Sequence, residues 1–295
     1  SDSVKFTDYH GHYFGQKRPG IIPEVFAPDL LKNSINTVFL PDGSEFFFVR
    51  DYDNNNSGDI LWMRRINGQW TVPVPAPFNS IATDNDICVN PNGKYVYFRS
   101  WRKINNISLK ESRSCIWFSE RSKNGWKAPK PLIINGVVLR AGYPSVANSG
   151  NLYFPKKTTR NNLGELYMMS WQNGHFTSPR PLMNDLKNQY DEGDMCVDPD
   201  ERFVITACWK RPNSDGSESD LYIAFRNDNQ QWTRLFPMGN KINTAMIENC
   251  PTISPDGKFF FFMRYNRKKN TSNAYWVDTK IIELLRIKYL EEDQK

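Results

Sequence analysis

Five copies of one short pattern run through this chain of 295 residues, and they confine it to a repeating β architecture. The clearest copy spans residues 250–264. It is a short run suited to a buried strand, a Pro255-Asp256-Gly257 turn, and an aromatic-rich run from Lys258 onward. Proline presets φ in such a turn, and glycine takes the positive φ that the turn demands. The aromatic run that follows favours extended backbone. Residues 36–50, 86–98, 143–154 and 194–205 repeat the pattern, with turn prolines or their equivalents at Pro41, Pro91, Asn148, Pro199 and Pro255. Successive turns stand 50, 57, 51 and 56 residues apart. A repeat of that length is one supersecondary unit, which buries its apolar face only by stacking on the next.

Each unit holds two more strands. The third lies at residues 59–64, 115–119, 165–169, 220–224 and 273–277. Asn67-Gly68, Asn124-Gly125 and Asn173-Gly174 follow in three units and signal a hairpin. An outer strand then opens on Trp70, Trp126, Phe176 or Trp232. Its prolines, such as Pro73, Pro129 and Pro179, suit an edge where no ladder donor is lost. The fifth unit lacks this strand; residues 279–290 carry apolar spacing near the helical period instead. The outer-strand pattern reappears at residues 23–31, ahead of the first unit. The expectation is all-β: one five-bladed β-propeller domain of four-stranded antiparallel blades across residues 1–295. Residues 1–22 form an N-terminal arm, too short and polar to make a sixth blade. The segment after the arm closes the last blade, and residues 279–295 form a short C-terminal helix capping the edge.

The repeated Pro-Asp-Gly-Lys-aromatic wording resembles the TolB-like, WD-repeat-like propeller repeat of bacteria, from Pro23 to Asp278. Pro255-Asp256-Gly257-Lys258 and Pro41-Asp42-Gly43 match it best; Asn148-Ser149-Gly150 and Pro199-Asp200-Glu201 depart from it. The stretch Tyr13 to Gly20, followed by Pro23 to Pro28, is similar to exported bacterial members of that group. The resemblance implies the fold and a periplasmic or extracellular address, with any leader removed. It implies no reaction: relatives include binding scaffolds and enzymes, and the repeat motif is structural.

Composition narrows the function classes. The net charge of +6 is mild, compatible with an acidic ligand and far from the footprint of a nucleic-acid binder. No apolar run is long enough to span a membrane. The cysteines, Cys88, Cys115, Cys196, Cys208 and Cys250, are odd in number and form no CxxC pair, so they read as small buried hydrophobes. Three histidines, His10, His12 and His175, do not support a zinc site, and His10 and His12 read as polar surface.

The long inserts all fall between second and third strands, so one face of the wheel is decorated and should carry function. Residues leading into the innermost strands would ring the axle there, bringing Asp84, Asp86, Glu192, Asp194 and Glu248 together. Asp191 stands beside them. Second strands end on the same face with Arg50, Arg99, Lys156, Lys157, Lys210, Arg211 and Arg264. Arg140 joins them, as do the aromatics Tyr52, Trp101, Tyr143, Trp209 and Tyr265. This mixture points to a saccharide or small anionic ligand: aromatic faces for sugar rings, carboxylates for hydroxyls, and Arg or Lys for uronate, sulfate or phosphate. The bland alternative is mutual neutralisation around a crowded rim. Asp86, Asp194 and Glu248 could instead supply the carboxyl pair of a glycoside hydrolase. A lyase with Tyr143 as base is a variant of that reading. A monomeric protein-interaction scaffold is a third. No cofactor motif occurs. A divalent cation is chemically compatible with Asp84, Asp86 and Asp194, although no calcium-loop spacing is present.

Overall fold

The computed structural model describes residues 4–50, 58–104, 114–157, 163–182, 191–209 and 218–292. Tyr52, Lys210 and Arg211 lie outside the described residues. Five four-stranded antiparallel sheets follow one another as blades. Blade 1 runs from its inner strand Ser34–Phe39 through Glu45–Arg50 and Asp59–Ile66 to Val74–Pro75. Blade 2 uses Asp84–Val89, Tyr95–Ser100, Cys115–Ser122 and Lys130–Pro131. Blade 3 uses Ser145–Val146, Leu152–Lys157, Gly164–Met169 and Arg180–Pro181. Blade 4 uses Asp191–Val197, Phe203–Trp209, Ser219–Phe225 and Phe236–Pro237. Blade 5 takes Ile247–Ile253, Phe259–Asn266 and Thr271–Asp278 from the end of the chain.

Its fourth strand comes from the start of the chain. Glu24 pairs with Trp276 and Val25 with Tyr275, so the ring closes between segments about 250 residues apart in sequence. The next residue, Phe26, is fully buried against Phe39, Phe261 and Trp276. The core is divided into five apolar clusters, each shared between neighbouring blades. That is how a repeat with two apolar faces buries both of them.

Two details depart from expectation. The outer strands are split. The aromatic half stays with the hairpin, as in Gln69–Thr71 and His175–Phe176, while only two residues reach back to the body of the third strand. The prolines between the halves cannot donate to a ladder, which is why the strand breaks there. The arm is also more than polar surface. Phe6–His10 pairs with Gln69–Thr71 as an extra strand on blade 1, and Phe14 is buried among Phe26, Phe46 and Trp70. At the other end, Lys280–Glu292 is the expected helix; its Ile281, Ile282 and Tyr289 cover the cluster between blades 4 and 5. None of the described helices is long and apolar enough to cross a membrane.

Phe26→Ala should lower unfolding free energy by about 3–5 kcal/mol, the cost of emptying a large aromatic site. Ile22→Ala, on an exposed side chain just before it, should change it by less than about 0.5 kcal/mol. Urea denaturation of both variants measures the closure; equal midpoints would mean that the Glu24–Val25 segment does not hold the ring.

Candidate ligand-binding site at the axle

The axle is built by a repeated irregularity. The pairing of first and second strands slips between Ile35 and Val38, Asn85 and Cys88, Glu192 and Met195, and Asn249 and Thr252. One residue inside each slip, or its equivalent in blade 3, faces the axle: Asn36, Asp86, Tyr143, Asp194 and Cys250. Four of these five adopt left-handed backbone, with φ of 57° at Asn36, 52° at Asp86, 42° at Tyr143 and 49° at Cys250. Bulges re-aim side chains in this way, and positive φ at non-glycine residues clusters at functional sites.

Four of these five residues meet. Asp86 accepts from the Tyr143 amide at 3.4 Å and faces Arg99 Nη1 at 3.5 Å. Asp194 Oδ2 accepts from the Cys250 amide at 3.1 Å and from its thiol at 3.4 Å. The Tyr143 hydroxyl reaches across to Cys250 Sγ at 3.9 Å. Gly142 permits the crowding, since a Cβ there would sit 3.0 Å from Asp86 Oδ2. Burial pushes Asp86 up to about 7; Arg99 opposes that rise and the Asp194 charge adds to it. Burial likewise raises Asp194, against hydrogen bonds from Cys250 and Tyr143. Tyr143 and Cys250 are held well above their usual ranges, first by burial and then by the charges of Asp194 and Asp86. Asn36 Oδ1 is buried with no hydrogen-bond partner.

Above this floor, on the face that bears the inserts, lies a pocket of about 750 Å³ spanning blades 2, 3 and 4. Its cations are Arg99, Arg140, Lys156 and Lys157; its acids are Asp191, Glu192 and Asp194; Trp101 and Trp209 add aromatic faces. The Arg99 guanidinium lies 4.2 Å from the Trp101 ring centroid, and its Nε donates to Ser114 at 2.6 Å. Asp191 accepts from the Gly164 amide at 2.8 Å. Gly164 has no room for a side chain, because a Cβ would fall 1.8 Å from the Glu192 carbonyl oxygen. Tyr143 lines this pocket and also the closed end of a smaller axial cavity of about 80 Å³ that opens between the proline turns of the opposite face.

Of the residues singled out from sequence, Arg99, Arg140, Tyr143, Lys157, Glu192, Asp194 and Trp209 line the pocket, while Asp86, bonded to the Tyr143 amide, lines the smaller axial cavity. Four others turn away into local ion pairs and loop contacts. Asp84 is fully buried, bonded to Arg102 at 2.8 Å and to Ser80. Glu248, also fully buried, holds Arg264 at 2.8 Å and Thr244 at 2.6 Å. Burial pushes Glu248 up to about 7, with Thr244 and Arg264 opposing. Arg50 donates to the Leu30 carbonyl. The expected carboxylate trio is therefore a pair, because Glu248, like Asp84, lies two residues before the axle position of its strand. Asp84 likewise does not join Asp86 and Asp194 around a cation, and no metal-ligating cluster forms among the described residues. His10 and His12 are exposed, with the His12 ring over the Gly43 turn. The position of Cys250 in register with Asp86 and Asp194 is the sequence signal for its place at the axle; Ser114 carries no such signal.

No family model and no curated protein matches the chain. In fold it is similar to a glycoside hydrolase, with a TM-score of 0.54 at 10% identity over 92% of this chain and 91% of that one. A thermostable family-43 glycoside hydrolase aligns with a TM-score of 0.52 at 10% identity, covering 82% and 88%. A GH43 endo-arabinanase from Bacillus licheniformis gives 0.51 at 12% identity, covering 83% and 94%. At such identities the likeness speaks for the five-bladed fold alone.

The raised carboxyls set a pH dependence. A group whose pKa is about 7 folded and 3.8 unfolded keeps its proton only in the folded state between those values. Stability should therefore fall as pH rises through that window. Asp86→Asn, which mimics the neutral form, should flatten the fall and raise stability near pH 8. Urea midpoints measured from about pH 5 to 8 check this; an unchanged slope in the variant would place the charge of Asp86 in water.

Proposed function

We propose that this protein is an exported, monomeric propeller of the TolB-like, WD-repeat-like group. On this reading it binds an anionic saccharide, or a small anion of like chemistry, at the decorated mouth of the axle. The observation that carries the reading is the pocket of about 750 Å³ that gathers Arg99, Arg140, Lys156 and Lys157 with Trp101, Trp209 and the acids of blade 4. Its volume suits a small-molecule site. Arg140, Lys156 and Lys157 are exposed and take part in no ion pair among the described residues. Such cations can engage a uronate, sulfate or phosphate without first breaking an internal pair. Indole faces would cover the apolar side of a sugar ring, and Glu192 and Asp194 would accept from hydroxyls.

Cleavage is the second reading, by hydrolysis or by lyase chemistry. Asp86 and Asp194 favour it: two carboxyls with raised pKa values beside one another at the axle. The structures similar in fold include proteins described as glycoside hydrolases. Access weighs against it, since Asp86 is 2% exposed and one oxygen of Asp194 is occupied by Cys250. From the pocket a sugar would reach Asp86 only after Tyr143 moved.

Titration calorimetry with uronate-bearing and neutral oligosaccharides tests the binding reading. A uronate oligomer should bind, and Arg140→Ala, Lys157→Ala and Trp209→Ala should each weaken it about tenfold, near 1.4 kcal/mol. Failure of every saccharide and small anion to bind would hand the face to a protein partner. Reducing-sugar and unsaturated-product assays on the same panel test cleavage. If that reading holds, Asp86→Asn or Asp194→Asn should slow turnover by about a hundredfold or more. Binding without turnover would end it.

A further inference from the structure

The five wedges between blades are not closed alike. In the wedge between blades 1 and 2, Arg121 and Trp126 face each other across the outer hairpin of blade 2. They lock onto Glu45 of blade 1. Trp126 Nε1 and Trp62 Nε1 donate to one carboxylate oxygen at 2.9 and 2.6 Å, and Arg121 takes the other at 3.0 Å. The same Arg–Trp pair recurs as Arg65 and Trp70 in blade 1 and as Arg226 and Trp232 in blade 4. In blade 4 the arginine reaches Glu201, which accepts from Tyr153 and Asn151 of blade 3.

Blade 3 breaks the rule. Its hairpin pair is Trp171 and Phe176. On blade 2, Tyr95 stands where Glu45 stands on blade 1, and Phe118 where Trp62 stands. Both charged members of the clamp are thus replaced by aromatics. What remains is a groove of about 830 Å³, with Tyr95, Phe118 and Phe176 along it and Trp171 on its wall, 46% exposed. Trp171 rests on Gly150, where a Cβ would lie 3.0 Å from it. The charged lining residues are Lys94 and Lys130, joined by His175, with no Asp or Glu. The neighbouring Glu120 is already engaged by Lys127 at 2.8 Å and by Lys94 at 4.0 Å.

The molecule itself supplies the precedent for an occupant. Between blades 5 and 1 the N-terminal arm runs along the outer hairpin of blade 1 as Phe6–His10, then inserts Phe14 beside Trp70 at 5.1 Å. The corresponding strand of blade 3, His175–Phe176, pairs only with Trp171–Gln172 among the described residues. Its outer edge is therefore open to an added strand. We propose that the groove between blades 2 and 3 docks an extended acidic segment of a partner protein that inserts an aromatic side chain. The open edge selects extended backbone, the aromatic lining selects the ring, and Lys94 and Lys130 select negative charge.

Fluorescence anisotropy with the full chain tests this. The probes are fluorescein-labelled octapeptides rich in Asp and Glu around one central Trp, the same peptides with Lys for Asp and Glu, and the acidic peptides with Ala for Trp. The acidic Trp peptide should bind at least about tenfold tighter than both controls. The double variant Trp171→Arg/Phe176→Trp, which restores the pair used by blades 1, 2 and 4, should weaken it by about tenfold or more. Trp171→Ser should do the same if the double variant melts early. Lys94→Glu/Lys130→Glu should also weaken it tenfold, whereas Lys280→Glu, a charge change on the C-terminal helix, should not. The proposal is overturned if no acidic peptide binds at millimolar concentration, if the controls bind equally, if Lys280→Glu matches the groove variants, or if a neutral oligosaccharide displaces the peptide from the groove. None of these outcomes depends on what binds at the axle.

Discussion

Two hydrogen-bonded residue pairs, Glu24 with Trp276 and Val25 with Tyr275, turn a row of five sheets into a wheel. Without them blade 5 would end on the open edge of Thr271–Asp278. The pairing is short, so it is packing that makes it hold. Phe26 and the arm residues Tyr13 and Phe14 fill the junction with aromatic contacts to Phe39, Phe259, Phe261 and Trp276. The loop closed in this way is almost the whole chain. Its entropic cost grows only with the logarithm of length, so a compact aromatic cluster is enough to offset it.

Closure has a consequence at the centre. Five inner strands brought side by side leave an axle that must be lined by something, and the bulges decide what. Each bulge rotates one residue out of the ladder and toward the axis. The residues delivered are mostly polar, and they arrive where water is scarce. Hence Asp86 and Asp194 share hydrogen bonds with backbone amides and a thiol, and their protons are held more tightly than in water. Burial is the dominant cause; the arginine beside Asp86 only partly opposes it. Tyr143 lies over the pair and separates the wide mouth from the narrow axial cavity.

The periphery follows a different logic. Neighbouring blades are held by apolar clusters, and, among the described residues, two of the five wedges gain a glutamate that an arginine and aromatic side chains hold at the rim. Where the charged pair becomes aromatic, the blades still pack through Tyr97, Ile116, Leu152 and Phe154, yet the rim stays open. One architecture thus offers two recesses with different chemistry, a charged one on the axis and an aromatic one at the flank.

Much of the fold was legible in the chain because repeats report packing units directly. Pro41, Pro91, Pro199 and Pro255 marked the turns. The Trp-x-x-Pro-x-Pro wording marked the outer edges, and its displaced copy at Pro23 to Pro28 revealed the closure. The candidate site was legible in part. Arg99, Arg140, Tyr143, Lys157, Glu192, Asp194 and Trp209 could be gathered from their places in the repeat, since equivalent positions in a propeller share a radius. The separation of Glu248 and Asp84 from the axle could not. It depends on which of two residues near a strand start is rotated inward by a bulge, and each side chain's choice of arginine partner is a distance between segments remote in sequence. The amino-acid order by itself determined the number of blades, their strand order and the face that carries the inserts, because those follow from periodicity and turn chemistry. Tertiary packing alone decided which carboxyls became buried and proton-hungry, and which wedge was left open, because both depend on neighbours that meet only after the wheel has closed.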